Sequence, residues 1–390
     1  MEDREIQNGS SDELNGLRGL AALIVVFCHF FSLYPPSRWT FFWKISPFSL
    51  LTSGRGCVVI FFALSGFALH RMLLKSQPFR YHEFALRRVT RIYGPYLAAL
   101  ALALAGNVWL SHGARPAFSE WFNQTWLVPM DRTAIWQHVA FLGEYDTKPF
   151  NCAIWSLVHE MRISLIFPLL LLAVKGRSMV WSSCVVLFLF AVGSLLKANI
   201  PKPNNIGESL HYAGLFAVGI YISEHERNLS AWFRSRSAVS QRIFIASALA
   251  LFCYGRFASH LFPYGYGEFQ DIPVGLAAAA LIVGAVSWPP ASAFLVSEPV
   301  EWLGTRSYSL YLVHGTLLFA LVNVFNMSRP RLLLLPVYLM LALFSTSLFY
   351  MAIERPLVLL SRKFTPNEHT LQESPSYPAI KFVREKLKVR

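Results

Sequence analysis

Charge is scarce in this chain. Only 15% of its 390 residues are Asp, Glu, Lys or Arg, while 54% are hydrophobic and the mean hydropathy is +0.42. So little charge cannot keep a soluble surface hydrated, which excludes the ordinary soluble domain. Paired cysteines are also missing. Cys28, Cys57, Cys152, Cys184 and Cys253 show no paired spacing and no Cys-x-x-Cys, so neither a disulfide framework nor a metal site is expected. The N-terminus, MEDREIQNGSSDELN, lacks a basic n-region and a small-residue cleavage site, so the first apolar run is expected to be retained as an anchor. No internal repeat of the inverted-repeat transporter kind is evident. The net charge of +13 does not imply nucleic acid, because Lys and Arg cluster in short loops between apolar runs. That is the pattern of membrane topology and anionic-lipid contact.

What is present is a series of apolar runs, each able to cross about 30 Å of hydrocarbon, where only internally bonded helices satisfy the backbone. Ten spans are read, at 17–34, 56–71, 91–111, 152–174, 179–196, 208–223, 242–260, 271–288, 307–325 and 332–353. The expected fold is all-α: a polytopic membrane protein of about ten transmembrane helices in one bundle. Loop charge orients it. Arg71, Lys75, Arg80, Arg87, Arg88 and Arg91 flank one side, and 261–270 carries no Lys or Arg. Both termini are therefore expected to be cytoplasmic. The parts are a polar N-terminus (1–16), a membrane domain (17–356) and a basic tail (357–390) that is disordered or a short amphipathic helix. The aromatic stretch 38–51 is expected at the outer interface, and 112–151, with Trp121, Trp126 and Trp136, is expected to form a cap.

Within the apolar sequence a few polar residues stand out. His29 follows Arg18 by eleven residues, about three turns or roughly 16 Å of helix, so both project from nearly one face. A histidine at mid-membrane either bonds a neighbouring carbonyl in helix packing or serves as a general base. Glu160, roughly 12 Å into its span, is read at the same depth, where a carboxylate would orient the imidazole. Its alternative is a structural pair with Arg162 or another helix. Ser65 precedes Gly66 at mid-depth and either lines a site or serves close helix packing; as a nucleophile it lacks the strand-to-helix elbow. Arg88 and Arg91 share a helix face at the inner surface with Arg18 near their level, and Arg355 ends the last span there. Such a group either reports topology or grips a polyphosphate, which guanidiniums bind bidentately. Tyr308, Tyr311 and His314 occupy the inner half of the ninth span, lining a site or filling structure.

Six stretches, in order, resemble the acyltransferase-3 family of bacterial integral-membrane acyltransferases: LNGLRGLAALIVVFCHF, FFALSGFAL, RRVTRIYGPY, WSLVHEMRISLIFPLL, SYSLYLVHG and IERP. They run from residue 14 to about 356. Gly94 before Pro95 departs from the family pattern. The resemblance implies transfer of an acyl group, usually acetyl, from cytoplasmic acetyl-CoA to a hydroxyl of an envelope glycan or lipid-linked saccharide, in the bacterial inner membrane. It implies that His29 and Arg18 are essential, that Arg88 and Arg91 contribute, and that Glu160 lies in the site. Residues and resemblance together give an expected O-acyltransferase without metal. The base is His29, held by Glu160; the donor's phosphates lie on Arg88, Arg91 and Arg18; Ser65, Tyr308 and His314 line the site. The rival reading is a secondary transporter with a His/Glu proton relay.

Overall fold

The computed structural model describes residues 12–75, 79–126, 131–200, 203, 205–254 and 271–362, and all regular structure among them is helical. In chain order the helices are α1 (Asp12–Phe31), α2 (Arg38–Ile45), α3 (Gly54–Lys75), α4 (Tyr81–Leu110), α5 (Glu120–Asn123), α6 (Arg132–Ala140), α7 (Ile154–Val174) and α8 (Met179–Asn199). There follow α9 (Asn205–Arg234), α10 (Ala238–Tyr254), α11 (Asp271–Ser287), α12 (Pro289–Leu295), α13 (Glu298–Thr305), α14 (Ser307–Val324), α15 (Leu334–Phe349) and α16 (Arg355–Arg362). A π-helical turn, Tyr350–Glu354, joins the last two.

Among the described residues seven helices are long and apolar enough to cross a membrane: α1, α3, α4, α7, α8, α14 and the continuous Leu334–Arg362 stretch. An eighth candidate is α11 with α12, bent by 88° at their junction. Trp288 sits there in extended backbone before Pro289 and Pro290, as a residue preceding proline prefers. All ten expected spans fall on helices, but the expected count is not reached by this measure. α10 is short, and 255–260 of its expected span lies outside the described residues. In α9 the polar residues Glu208, His211, Glu224, His225, Glu226 and Arg227 dilute the apolar run. The expectations for residues 1–11, the 261–270 segment and the tail beyond Arg362 also fall outside the described residues.

Glycines set the closest helix contacts. A Cβ on Gly219 of α9 would lie 2.0 Å from the Ala63 carbonyl oxygen of α3, and one on Gly66 would lie 2.2 Å from that of Phe216. The two backbones meet because neither residue has a side chain, as small residues allow in membrane bundles. α1 meets α13 similarly: a Cβ on Gly19 would stand 2.4 Å from the Gly304 nitrogen. Gly94 does not break α4, which runs on through Pro95; its bare face admits Leu357 of α16. The 38–51 stretch forms α2 and a 3-10 turn with Trp39, Phe41, Phe42, Ile45 and Phe48 exposed. The described residues of 112–151 pack against the bundle: Trp126 is buried, its indole N–H donates to the Phe150 carbonyl (3.0 Å), and the Ser119 hydroxyl donates to the Ser32 carbonyl beyond the end of α1.

Candidate functional site

Five helices converge on one cavity. α1 brings Arg18; α3 brings Ser65; α4 brings Arg88 and Arg91; α14 brings Tyr308 and Tyr311. α7 contributes Ser156 and Glu160, which stand four residues apart and so share a helix face. The cavity holds about 820 Å³ of atom-free space, part of it open to solvent. Its polar residues form one connected set. Glu160 Oε1 accepts from Arg88 Nη2 at 3.1 Å and from the Ser65 hydroxyl at 3.2 Å, and Arg88 Nη2 also donates to Ser164 Oγ at 2.9 Å. The Tyr308 hydroxyl donates to the Ile92 carbonyl at 2.8 Å, and the Ser156 and Tyr311 hydroxyls lie 2.7 Å apart.

Arg18 and Arg91 differ from Arg88: neither makes a hydrogen bond or ion pair to any described residue. Arg18 is half-buried and Arg91 exposed. Three arginines facing one carboxylate leave a formal charge of +2 in the cavity, with two guanidiniums available to an anion.

Beyond Tyr311 lies a second arrangement. The His29 and His314 rings are stacked with centroids 5.0 Å apart, and His29 Nδ1 is 2.7 Å from His314 Nε2. His314 Nδ1 is 3.0 Å from the Leu310 carbonyl. A carbonyl only accepts, so His314 carries its proton on Nδ1, and in the neutral ring Nε2 is bare. That bare nitrogen accepts from His29, whose proton is therefore on Nδ1. The pattern leaves His29 Nε2 with a free lone pair, the state a proton acceptor needs. Cys152 Sγ lies 3.4 Å from the same Nδ1, and Trp121 of α5 stacks on His29 with centroids 5.0 Å apart. On its other side Trp121 joins Tyr34, Trp43, Lys44 and Glu120 around a cleft of about 880 Å³.

Of the residues singled out in the sequence, Arg18, Ser65, Arg88, Arg91, Glu160 and Tyr308 line the first cavity; His29 and His314 pair with each other outside its lining. Arg355 is not among the lining residues. The expected His29–Glu160 hydrogen bond is not formed. The depth argument failed because α1 ends at Phe31, which puts His29 in its last turn, while Glu160 stands six residues, about 9 Å, inside α7. Nor does Glu160 pair with Arg162, which binds the carbonyls of Leu142 and Gly143. The two readings of Ser65–Gly66 divide between the residues: Gly66 packs and Ser65 faces the cavity. Sequence reasoning missed Ser156 and Ser164, although their four-residue spacing about Glu160 was a usable signal. It missed the placement of Cys152 and Trp121, which no local pattern marks.

The family model of the acyltransferase-3 type, described as an acyltransferase domain, matches residues 11–351. A peptidoglycan O-acetyltransferase of Listeria monocytogenes, OatA, is 22% identical over 343 residues, covering 82% of this chain and 51% of that protein. A putative peptidoglycan O-acetyltransferase of Bacillus subtilis, YrhL, is 23% identical, covering 88% of this chain and 54% of its own length. A putative membrane-bound transacylase of Komagataeibacter xylinus, BcsY, is 31% identical over 180 residues, 44% of this chain and 40% of that one. The chain thus spans about half the length of the first two relatives. No solved structure matches.

Proposed function

This chain belongs to the acyltransferase-3 family, and from that premise we propose that it is a multi-pass membrane O-acyltransferase moving an acetyl group from acetyl-CoA to a hydroxyl of an envelope glycan or lipid-linked saccharide. The observation that carries the reading is the cavity holding two guanidiniums without partners among the described residues, next to a histidine pair that leaves one lone pair free. A coenzyme A diphosphate is the polyanion that such arginines suit. With the termini on the cytoplasmic side, the arginines face the compartment that holds the donor.

In this scheme the donor's phosphates lie on Arg18 and Arg91. Arg88 is held in place by Glu160 and Ser164. The pantetheine arm runs past Ser65, Ser156 and Tyr311 towards His29. The acceptor enters from the opposite side, through the cleft beside Trp121, where Trp43, Trp121 and Tyr34 offer aromatic faces for sugar rings. His29 Nε2 takes the hydroxyl proton as the oxygen attacks the thioester carbonyl. The carbon–sulfur bond breaks, the thiolate leaves and recovers that proton, and the products are an ester and free coenzyme A. His314 stabilises the transient imidazolium through the Nδ1–H bond, the part first assigned to Glu160. Glu160 is instead the residue that fixes Arg88.

The test is thermal stabilisation of the detergent-purified chain by coenzyme A, because a ligand that binds only the folded state raises its transition. At a hundred times Kd the gain is about 2.7 kcal/mol. A secondary transporter would show no such shift and would move substrate without coenzyme A. Absence of the shift in the wild type, with mass spectrometry finding no acetyl transfer to saccharide, refutes the reading.

A further inference from the structure

The His29–His314 pair and Cys152 form a set of donors that the transfer reaction does not use as a set. One nitrogen of each histidine and the Cys152 sulfur all lie within 4.8 Å of one another. We propose that these three residues bind a Zn²⁺ ion and that the bound ion switches acyl transfer off. The inhibitory part rests on the reading of His29 as the base; the binding part does not.

The ligand chemistry suits zinc. Thiolate and imidazole are both ligands of zinc, and three protein ligands with a fourth position left open is a coordination it adopts. With zinc–nitrogen distances of about 2.05 Å and zinc–sulfur of about 2.3 Å, a tetrahedron requires about 3.3 Å between the nitrogens and about 3.6 Å from nitrogen to sulfur. The observed separations are 2.7 Å for His29 Nδ1 to His314 Nε2 and 3.4 Å for His29 Nδ1 to Cys152 Sγ. Opening the first by about 0.6 Å and the second by about 0.2 Å reaches the two tetrahedral edges at His29, and the third pair, His314 Nε2 and Cys152 Sγ, stands within 4.8 Å. The surroundings hold the ligands as zinc sites do. His314 already donates its other ring N–H to the Leu310 carbonyl, the outer hydrogen bond that fixes a metal-ligating histidine. His314 and Cys152 are buried, while His29 keeps partial exposure, which gives an ion a side of entry.

The switch follows from which nitrogen the metal takes. Zinc on Nδ1 of His29 replaces the proton there, and the neutral ring then carries its proton on Nε2. The lone pair that would accept the substrate proton is lost. The balance is one Zn²⁺ plus one thiol giving a zinc thiolate, with one proton released to solvent and the His29 proton moved from Nδ1 to Nε2. The two states exclude each other: either the histidines hydrogen-bond, leaving Nε2 basic, or both face the ion and Nε2 is blocked.

The experiment uses the full chain in detergent, loaded with zinc chloride, freed of unbound ion and measured for metal per chain. One zinc per wild-type chain is expected. In Cys152→Ser the affinity falls by at least about 100-fold, more than losing an outer-shell partner costs. Cys184→Ser, at an exposed cysteine far along the chain, binds as the wild type does. In parallel, zinc suppresses acetyl transfer by the wild type, a chelator restores it, and Cys152→Ser keeps its basal rate in the presence of zinc. Equal thermal transitions of wild type and Cys152→Ser without metal guard against a folding defect, and Cys152→Ala provides a second variant. Zinc retained equally by both Cys152 variants, no zinc on the wild type, or zinc that raises activity overturns the proposal. A wild type that binds one zinc through Cys152 but never transfers acetyl refutes the function reading and leaves the metal site standing. Normal transfer with no zinc bound refutes the site alone.

Discussion

Replacing His314 tests the proposed chemistry most directly. Its Nε2 receives the His29 Nδ1–H at 2.7 Å, and it does not line the arginine cavity. Two effects are separable. In the resting enzyme the bond between neutral rings is worth about 1 kcal/mol. When His29 takes the substrate proton, the same bond joins a cation to a neutral acceptor and is worth about 1.5–3 kcal/mol. Only the part of an interaction that is stronger in the transition state than in the ground state accelerates the step, so the difference, about 0.5–2 kcal/mol, governs kcat. At about 1.4 kcal/mol per decade, His314→Phe, which keeps the ring volume and removes the acceptor, lowers kcat about 2- to 30-fold. The KM for acetyl-CoA stays within about twofold, because the arginines are untouched. His314→Gln, whose amide oxygen can accept from Nδ1–H, recovers part of the loss. The assay is steady-state release of free coenzyme A thiol in the presence of a saccharide acceptor, with thermal transitions checked for each variant. An unchanged kcat in His314→Phe, or a loss carried wholly by KM, refutes the role of His314 as the residue that positions His29.

Arg18→Ala and Arg91→Ala are each expected to raise the KM for acetyl-CoA about 10- to 150-fold, the worth of a charged hydrogen bond, and to leave the KM of a short acetyl thioester without phosphates unchanged; kinetics with the two donors checks this. Arg88→Met behaves differently, because it strands the Glu160 carboxylate: stability falls by about 2 kcal/mol in a thermal melt, and Arg88→Met with Glu160→Gln recovers most of it. Gly219→Ala, whose new methyl meets the Ala63 carbonyl oxygen at 2.0 Å, is expected to force α9 from α3 and destabilise the fold by about 1–3 kcal/mol. Gly143→Ala, whose nearest neighbour is 3.9 Å away, leaves the transition where it was, and the pair of melts reads the difference.

Much of this protein was legible along the chain. Apolar runs of membrane-spanning length require helices whatever their neighbours, because a backbone in hydrocarbon must bond within its own segment. That local rule located the helices, and an eleven-residue spacing aligned Arg18 with His29. Side-chain chemistry alone also marked the arginines, Glu160, Ser65 and Tyr308, since ionisable and polar groups are expensive in apolar sequence and stand out against it. Partnership was not legible. Whether Glu160 faces His29 or Arg88 depends on where α1 and α7 start and how they are offset, a matter of a few residues that periodicity does not fix. His314 as the partner of His29, Cys152 beside His29, and Trp121 stacked on His29 come from segments far apart in sequence, and Gly315 of α14 leaves the room in which Cys152 Sγ sits. Sequence by itself determined which groups must be buried in a helical bundle. Only the packing of the helices decided which of those groups meet, because hydrogen bonds and metal–ligand bonds are made or lost within about an ångström, and no one-dimensional pattern carries that precision.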